Sequence, residues 1–417
     1  MTDAGLVVVY RERTVARLVV DQGRFAVTYD AAWLRSPDAF PISLSLPLRE
    51  ALHDGASAHA FFANLLPEGG VRQAVCSRLG ISVDNDVALL RAIGGECAGA
   101  LSIVEPGWSA GRREAAYEEI DAARLAALTA RDVVPLLLGG PPTRLSLAGA
   151  QDKLPVAVID GALHLPLEGA PSTHILKLPN PRYAHLTLNE AFVMGLADAV
   201  GLEVAPVEVV TATDPPCLLV TRFDRHGETE IERLHQEDIC QALGLPPTQK
   251  YEQEGGPTLG AALEVVRDHV TTPIPDVQRL LAWQAFNVVA GNADGHGKNL
   301  ALLYEGRGLR LAPFYDLVCT QAYPALDRHL AMSIGGRRDP AQLHRAQWEA
   351  LAREIDVAPR VVVQIAHDVA TRVGDTIAEW TKEFRRRNGR RAILETLPRL
   401  ITRNARRLVR ELAPPGR

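Results

Sequence analysis

The sequence of 417 residues has few cysteines and no long apolar run. Its five cysteines are odd in number and widely spaced, and no two form a C-x-x-C pair, which argues against a disulfide framework and a structural zinc site. Because such usage is typical of a reducing compartment, we expect a cytoplasmic protein. No apolar run reaches the roughly 18 residues that suggest a membrane span. The start of the chain has an acid at Asp3 and only a short apolar run, unlike a signal peptide.

An excess of positive charge, which is typical of proteins that coat nucleic acid, is also missing. The chain carries 45 Lys and Arg against 50 Asp and Glu, a formal net charge of −5. The basic residues nevertheless concentrate at one end, since residues 382–417 contain 12 basic and 3 acidic side chains. With 47% hydrophobic residues the chain can bury a sizeable core, and its length predicts two or three domains.

The order of sequence patterns predicts an α+β protein. The first hundred residues alternate apolar and polar side chains, as strands do. An Ala- and Leu-rich pattern over residues 112–138 predicts helix, and the LLLGGPPTR that ends it predicts a domain boundary. Strands return between residues 145 and 225 with one helix inserted, and the remainder is mostly helical apart from a hairpin near residues 300–314. The predicted early strands are Leu6–Tyr10, Val15–Val20 and Phe25–Tyr29.

The segment from Asn292 to Asn299 concentrates polar side chains in a Gly-containing loop after an apolar helical run. It contains an acid at Asp294, an imidazole at His296 and an amine at Lys298. Taken alone, such a loop is also compatible with ordinary solvated turns. In protein kinases, however, a catalytic Asp precedes a metal-binding Asn at the spacing that separates Asp294 from Asn299. The spacing therefore indicates phosphoryl transfer, with Asp294 accepting the proton of a substrate hydroxyl.

A hairpin is predicted directly after this loop, with strands LALLYE and LRLAPF around a Gly-Arg-Gly turn. Reflection about Arg307 places Asn299 opposite Tyr315, so that Asp316 lies one residue from the partner of Asn299. An amide oxygen and a carboxylate are hard ligands, which suit a Mg²⁺ ion that also keeps water and phosphate oxygens. Asn299 and Asp316 are therefore the predicted metal ligands.

Upstream segments offer groups for phosphate binding. A loop of small residues joins two β-patterned segments, and its N–H groups can approach phosphate oxygens, although an ordinary β-turn fits the string at least as well. Lys177 lies in an apolar strand, where it either snorkels to an edge or faces an anion. Glu190 begins the following helix and either pairs with Lys177 or forms a capping box with Thr187. The predicted nucleotide-binding residues of the loop are Ser146, Ala148, Gly149, Ala150, Gln151 and Lys153, to which Lys298 is added.

The strand CLLVTRF ends at a further candidate nucleotide contact. Arg222, Phe223 and Asp224 occupy the place where a linker between kinase lobes uses backbone groups to contact adenine. Asp224 would then hold a ribose hydroxyl. The alternative is an Asp–Arg pair on the surface, which contributes little energetically.

Taken together, these motifs resemble those of the HipA-type serine/threonine kinases, the toxins of bacterial toxin–antitoxin pairs. The resemblance covers nearly the whole chain and implies a β-rich N-terminal domain ahead of a bilobal protein-kinase-like domain. That domain is of the lipid-kinase-like type, with a mostly helical C-terminal lobe. The strings that carry the resemblance are LLRAIGGECAGAL, SLAGAQDK, HILKLPN, VTRFDR, RLHQEDICQALGL, KYEQEGGP, NADGHGKN and LAPFYDL, with an NE-x-x-x-M-x-LA helix. The predicted division is 1–108 (N-terminal domain), 109–143 (helical linker), 144–232 (N-lobe) and 233–417 (C-lobe).

The resemblance implies ATP and Mg²⁺ as cofactors. It makes Asp294 the catalytic base, accompanied by His296, and Lys177 the phosphate-binding lysine. It also assigns the metal to Asn299 and Asp316, in agreement with the hairpin argument.

Ser146 matches the serine that members of this family autophosphorylate, a modification linked to ejection of the phosphate-binding loop and loss of activity. A phosphoserine adds a charge of about −1.5 to −2 beside a site for ATP phosphates, and like charges repel. The alternative for Ser146 is a turn serine without a special role.

The resemblance implies an aminoacyl-tRNA synthetase, most often the glutamyl enzyme, as substrate and a small helix-turn-helix antitoxin as partner.

The basic C-terminal segment has two interpretations. It either contacts operator DNA beside the antitoxin or is a solvated basic helix. The arginines concerned are Arg385, Arg386, Arg387, Arg390, Arg391, Arg403, Arg406, Arg407 and Arg410. A kinase-shaped corepressor that only bridges antitoxin and DNA is the rival function. A small-molecule kinase is disfavoured by the resemblance alone.

Overall fold

A computed structural model describes residues 5–21, 23–107, 116–130, 153–167, 169–227 and 230–413. The chain forms two compact units. The first combines residues 1–178, 212–248 and 302–307, and the second combines residues 179–211, 249–301 and 308–417. Over the described ranges, no helix has both the length and the hydropathy that crossing a membrane requires.

The first unit begins with an antiparallel sheet of four strands in the order β3–β2–β1–β4. These strands are β1 (Leu6–Tyr10), β2 (Arg13–Asp21), β3 (Arg24–Tyr29) and β4 (Leu101–Val104). Alternating side chains such as Leu6 and Val8 are buried, as the period of two in the sequence predicts. The helices between β3 and β4 are α1 (Ala31–Leu34), α2 (Ala56–Ala63), α3 (Gly69–Leu79) and α4 (Asp86–Ile93).

A second antiparallel sheet of the first unit has the strand order β5–β7–β6–β8–β10. Its strands are β5 (Ala116–Glu119), β6 (Lys153–Ile159), β7 (Ala162–Leu167), β8 (His174–Lys177) and β10 (Cys217–Thr221). The prediction of helix from residue 112 is wrong for residues 116–119, because Ala116 and Tyr117 pair with β7, and this pairing overrides the helix propensity of the segment. Helix follows only at α5 (Ala122–Ala130).

Short elements complete the first unit. They are β11 (Arg225–His226), β12 (Glu232–Arg233), β13 (Gln236–Asp238), α7 (Ile239–Ala242) and most of β14 (Ala301–Glu305). Helix α7 starts at a capping box, in which the Asp238 side chain accepts from the Gln241 backbone N–H and the Gln241 side chain accepts from the Asp238 N–H.

The second unit is mostly helical. Its long helix α9 (Pro273–Ala290) packs against α8 (Leu259–His269), α11 (Pro359–Asn388) and α12 (Ile393–Leu412). Helices α9 and α11 both begin at a proline, whose missing N–H costs nothing in the first turn. The other elements are α6 (Leu186–Ala199), β9 (Val207–Val210), β15 (Gly308–Leu311) and α10 (Arg345–Glu354). Single 3₁₀ turns of the chain lie at Pro247–Gln249, Glu252–Glu254, Gly297–Asn299, Thr320–Ala322 and Pro340–Gln342.

The predicted α+β class is confirmed, since helices and several sheets share the chain. The strands predicted between residues 145 and 225, the inserted helix and the later hairpin all occur. The predicted four-part division stays a prediction, because a split by compactness groups most of the first 178 residues with two later segments.

Candidate active site

The loop after α9 is anchored at its start by backbone and side-chain hydrogen bonds within the second unit. Helix α9 ends at Gly291, whose φ of 71° lies in the left-handed region that glycine adopts readily. The Thr320 hydroxyl donates to the Gly291 carbonyl at 3.1 Å and accepts from the Ala293 N–H at 2.8 Å. The Asn292 side chain accepts from the Asp294 N–H at 3.0 Å and donates to the Asn287 side chain at 2.9 Å. These hydrogen bonds fix the conformation of the first part of the loop.

Asp294 is approached by two groups that the sequence argument did not pair with it in this way. The Tyr251 hydroxyl donates a hydrogen bond to Oδ1 of Asp294. The Asn299 side-chain N–H donates to the Asp294 carbonyl at 2.8 Å. The second hydrogen bond depends on the five-residue spacing between Asp294 and Asn299. It joins the Asn299 side chain to the Asp294 carbonyl and so closes the loop between the two residues. Tyr251 was missed as a site residue, although it lies in the string KYEQEGGP.

His296 and Lys298 lie in the same loop, and both are buried. The ring of Tyr251 meets the imidazole of His296 edge to face, with 5.0 Å between centroids. The Gly297 N–H donates to the Lys250 carbonyl at 3.2 Å, which fixes the loop against the segment that carries Tyr251. The catalytic part of His296 and the nucleotide contact of Lys298 stay predictions.

The hairpin returns the chain to this loop. The Ala312 N–H donates to the Ala301 carbonyl at 2.9 Å, and the Tyr315 hydroxyl donates to the Lys298 carbonyl at 2.7 Å. Tyr315 thus lies against the peptide that precedes Asn299, and Asp316 follows it. Asp316 has a φ of 56°, a left-handed conformation that Asp and Asn tolerate better than most residues.

The segment after Asp316 is fixed by α6. The Asn189 side chain accepts from the Cys319 N–H at 2.9 Å and donates to the Cys319 carbonyl at 3.0 Å. Asn189 is fully buried, so both bonds are shielded from water. Asn189 was predicted only as part of a family string. The sequence signal for its role was an amide side chain within an apolar helix, and this signal was not used.

The donor set of this loop fits a hard divalent cation. Asn299 uses its amide N–H on Asp294, and among the described residues no donor bonds its amide oxygen. That oxygen and the Asp316 carboxylate are the ligand types that Mg²⁺ prefers. No group of three or more His, Cys, Asp or Glu suited to a metal occurs in the described ranges. Two protein ligands are compatible with Mg²⁺, because this ion usually keeps several waters and binds substrate phosphates.

Lys177 and Lys153 belong to the first unit and lie side by side on its second sheet. Lys177 ends β8, Lys153 begins β6, and the register pairs the two residues directly. Directly opposed residues of antiparallel strands share a face, where like charges destabilise the sheet. Lys177 is buried. The phosphate-binding role of Lys177 and Lys153 stays a prediction.

Glu190 does not form the capping box that was one alternative for it. Helix α6 begins at Leu186 after His185, which makes no side-chain capping bond, and Thr187 is already inside the helix. That alternative is wrong, because the helix starts earlier than the Thr-x-x-Glu pattern requires. Glu190 is buried, and its pairing with Lys177 stays a prediction.

Arg222 and Asp224 form a buried ion cluster of the first unit. Arg222 donates to both oxygens of Asp224, at 3.0 and 2.8 Å, and to Oε1 of Glu96 at 3.2 Å. Arg225 donates to Glu96 at 2.9 Å, and the Gly99 N–H donates to Asp224 at 2.7 Å. The predicted alternative of an Asp–Arg pair is thus confirmed as a pair, but its place on the surface is wrong, because Asp224 is 2% exposed.

Charge balance explains why this cluster tolerates burial. Burial alone would raise the pKa of Asp224, but the Arg222 and Arg225 guanidiniums outweigh it and lower this pKa well below its usual range. The same arginines lower the pKa of Glu96 against its burial. With both Asp224 oxygens bonded to protein groups, the geometry favours a structural role for this side chain. Nucleotide contacts at Arg222, Phe223 and Asp224 stay predictions, best suited to backbone groups.

The predicted phosphate-binding loop lies outside the described residues. This applies to Ser146, Ala148, Gly149, Ala150 and Gln151.

Comparison with known families supports a protein of the kinase class. The family model described as "HipA N-terminal domain" matches residues 6–104, and the one described as "HipA-like C-terminal domain" matches residues 145–377. The chain belongs to the HipA family, which confirms the resemblance stated from the sequence.

Named relatives support this membership. The chain is 33% identical over 380 residues to "Serine/threonine-protein kinase toxin HipA" of Shewanella oneidensis, covering 85% of this chain and 84% of that protein. It is 43% identical over 355 residues to "Putative kinase Y4mE" of Sinorhizobium fredii, covering 83% and 84%. A solved structure described as the Shewanella oneidensis toxin–antitoxin system of HipA, HipB and operator DNA matches with a TM-score of 0.82 and 28% identity, covering 98% of this chain and 96% of that chain.

Proposed function

We propose that the chain is an ATP- and Mg²⁺-dependent serine/threonine protein kinase that acts as the toxin of a toxin–antitoxin pair in the cytoplasm. The observation that carries the proposal is the anchored loop, in which Asp294 and Asn299 are bonded to each other and the hairpin brings Tyr315 and Asp316 alongside. Kinship to a named serine/threonine kinase toxin supports the same conclusion.

In this proposal each residue has one task. Asp294 accepts the proton of the substrate hydroxyl as the phosphoryl group is transferred. Asn299 and Asp316 hold the magnesium ion, which neutralises phosphate charge when bound. Lys177 and Lys153 bind phosphate oxygens, and their cross-strand pairing supports this task. Tyr251 orients Asp294 through its hydroxyl.

The substrate we propose is an aminoacyl-tRNA synthetase, with the glutamyl enzyme first, whose phosphorylation halts translation. A small helix-turn-helix antitoxin restrains the kinase. The solved Shewanella structure contains HipB and operator DNA beside HipA, which supports a partner and DNA of these kinds. The exposed arginines Arg386, Arg387 and Arg390 of the C-terminal segment are the proposed DNA contact.

The experiment is a comparison of phosphoproteomes from cells that express the wild-type chain or its Asp294→Asn variant. We expect a synthetase phosphosite in the first culture and a loss of phosphoryl transfer of about 100-fold or more in the second, the scale of losing a positioned general base. Equal thermal unfolding of the two purified chains serves as the control for folding. Full autophosphorylation and full growth arrest by Asp294→Asn would contradict the assignment.

The same mass spectra test autoregulation at Ser146. We propose that phosphate on Ser146 repels the ATP phosphates and switches the kinase off. The Ser146→Ala chain should then bind ATP tightly and lack the modified form, while the phosphorylated wild type binds ATP weakly. Absence of phosphate on Ser146 after incubation with Mg-ATP would reject the regulation and leave the kinase proposal standing.

A corepressor that bridges antitoxin and operator DNA is the second candidate function. The concentration of basic residues in the last 36 residues and the operator DNA in the Shewanella structure favour it. Asp294→Asn separates the two functions, because a corepressor should retain operator binding and repression while a kinase loses transfer. If the wild type transfers no phosphate to any protein but represses normally, the corepressor is the correct function.

A further inference from the structure

Helices α11 and α12 of the second unit border a recess of about 1220 Å³. Eight of the residues that line it are Lys or Arg and two are acidic, so the recess is strongly positive. One of the two acids, Glu395, is already paired with Arg385 at 2.8 Å. We call this feature the arginine recess and define it by Arg399, Arg403, Arg406 and Arg407, which α12 contributes.

These four arginines form no ion pair with the described residues. In the described part of the chain, no carboxylate lies within 4.0 Å of their guanidiniums. The pKa of Arg407 is lowered, chiefly by burial and next by Arg403, although Asp339 and Glu411 act in the opposite direction. Arg386 and Arg387 differ, because both are paired with Glu383 and neither lines the recess. Asp339 and Glu411 thus act on Arg407 from beyond ion-pair distance, and the recess keeps an excess of positive charge.

The inner surface of the recess is polar and built by specific bonds. Pro398 has no N–H, which leaves the Leu394 carbonyl without its helical partner, and Arg385 donates to that carbonyl at 2.7 Å. Asn404 is 3% exposed and donates to the Gln321 side chain at 3.1 Å and to the Val289 carbonyl at 3.2 Å. These bonds fix part of the floor of the recess, while Arg399, Arg403 and Arg406 are exposed at its surface.

We propose that the arginine recess binds a small anion with two or more phosphates, either a free oligophosphate or the phosphate tail of a nucleotide. Guanidinium groups match phosphate oxygens in pairs, so converging arginines suit neighbouring phosphates of one molecule. The volume is of the order of small-molecule sites, roughly 300–1,000 Å³. This site is distinct from the proposed nucleotide site and does not depend on kinase activity.

The test is isothermal calorimetry of the full chain with inorganic tripolyphosphate in EDTA. The recess variant is Arg403→Ala with Arg406→Ala, and the matched control is Arg386→Ala with Arg387→Ala, which removes the same charge from exposed helical positions outside the recess. We expect the recess variant to lose about 10-fold or more in affinity, the scale of losing charge-assisted hydrogen bonds. The control should stay within about 2-fold of wild type.

Other outcomes are decisive as well. Absence of binding to wild type, or an equal loss in recess and control variants, overturns the proposal. Binding that is unchanged in the recess variant places the ligand elsewhere and also overturns it. If the recess variant loses only affinity for an operator duplex, the surface is a DNA contact and the proposal is wrong. Guanosine triphosphate in the same titrations distinguishes the two kinds of ligand. An affinity equal to that of tripolyphosphate indicates that the recess recognises only phosphates. Tighter binding that the recess variant loses indicates that it recognises a nucleotide.

Discussion

Asp294 is the residue on which the proposed chemistry depends, and its surroundings show how the sequence orients it. The Asn299 amide is bonded to its carbonyl, and the Tyr251 hydroxyl is bonded to its carboxylate. A carboxylate held from one side presents its other oxygen in a defined direction. Orientation of this kind lowers the entropic cost of reaching the transition state.

At the residue scale we first predict the effect of Tyr251→Phe. The variant loses one hydrogen bond to Asp294 and keeps the ring that meets His296. We expect the turnover number to fall about 10-fold, which corresponds to one hydrogen bond of about 1.4 kcal/mol. The KM for ATP should not change, because the lost bond orients the base and does not hold the nucleotide. Steady-state kinetics measures both.

Tyr117→Phe is the matched control for this variant. It removes a tyrosine hydroxyl of the first unit that donates to the Pro171 carbonyl at 3.1 Å. Its turnover should equal that of wild type. Wild-type turnover of Tyr251→Phe would show that Tyr251 has no positioning role.

Asp316 combines a proposed metal ligand with a left-handed backbone. Asp316→Asn keeps a side chain that tolerates this φ but removes the negative charge, so we expect normal folding and about 10-fold more Mg²⁺ for half-maximal turnover. Asp316→Ala should show the same metal defect and also unfold at lower temperature, because alanine in this conformation costs about 1 kcal/mol. Magnesium titration of ATP turnover and thermal unfolding measure the two effects. An unchanged magnesium requirement in both variants would reject Asp316 as a ligand.

At the scale of elements, the packing of α6 against α11 depends on one small residue. A Cβ added at Gly195 would lie 2.4 Å from Cζ2 of Trp380, whose indole N–H donates to the Phe192 carbonyl at 3.0 Å. The indole is held by that bond and cannot move away without breaking it. Gly195 is therefore required by close helix packing and not by a turn.

We predict that Gly195→Ala destabilises the second unit by about 1–3 kcal/mol, the usual range for overpacking, which lowers the melting temperature by several degrees. Gly374→Ala is the control, since it lies in the interior of α11 with nothing within 4 Å of the added Cβ. That variant should gain about 0.5–1 kcal/mol from helix propensity. Thermal unfolding compares them, and equal stability of the two variants would contradict the packing argument.

In the first unit, β13 is joined to an early loop by a buried acid. Glu237 accepts from the Leu44 N–H at 3.0 Å and from the Ser43 and Tyr304 hydroxyls. Burial raises the pKa of Glu237 from 4.5 to about 7, although these hydrogen bonds lower it in part. The folded state therefore holds the proton of Glu237 more tightly than the unfolded state does.

The sign of the pH dependence follows. Below pH about 4.5 Glu237 is protonated in both states and its contribution is complete, and that contribution is lost as the pH rises to about 7. We expect the unfolding free energy of wild type minus that of Glu237→Gln to fall by about 1–3 kcal/mol over this range. Urea unfolding at a series of pH values measures the difference. Parallel profiles for the two chains would show that Glu237 does not titrate in this way.

At the scale of the whole molecule, local patterns predicted local features well. The hairpin and the strands of the second sheet depend on residues close in sequence. The predicted reflection about Arg307 is wrong by one residue, because the bond between Ala312 and Ala301 centres the hairpin between Gly306 and Arg307. The ion cluster could not be predicted in the same way, because Glu96 and Arg222 are 126 positions apart and no local pattern links them. The only sequence signal for this ion cluster was the presence of several charged residues within otherwise apolar, Gly-rich strings.

Two errors have a common physical cause. Residues 116–119, within the region predicted as helix, form a strand because β7 pairs with them, and Thr187 does not cap α6 because the helix already starts at Leu186. In both cases a tertiary contact or an earlier helix start overrode a local preference. The Tyr251 contact with Asp294 was missed for a similar reason, since 43 positions separate the two residues.

The scarcity of cysteine gives the folded chain a built-in reporter of its own opening. All five thiols are free and buried, and burial raises the pKa of Cys97 and Cys319 to about 12, so an alkylating reagent meets almost no thiolate. Four of the thiols lie in the first unit, whereas Cys319 lies in the second, on the backbone that Asn189 clamps after Asp316. The alkylation rate of Cys319 therefore measures how often the segment that follows the proposed metal ligand Asp316 opens locally. No engineered label is needed.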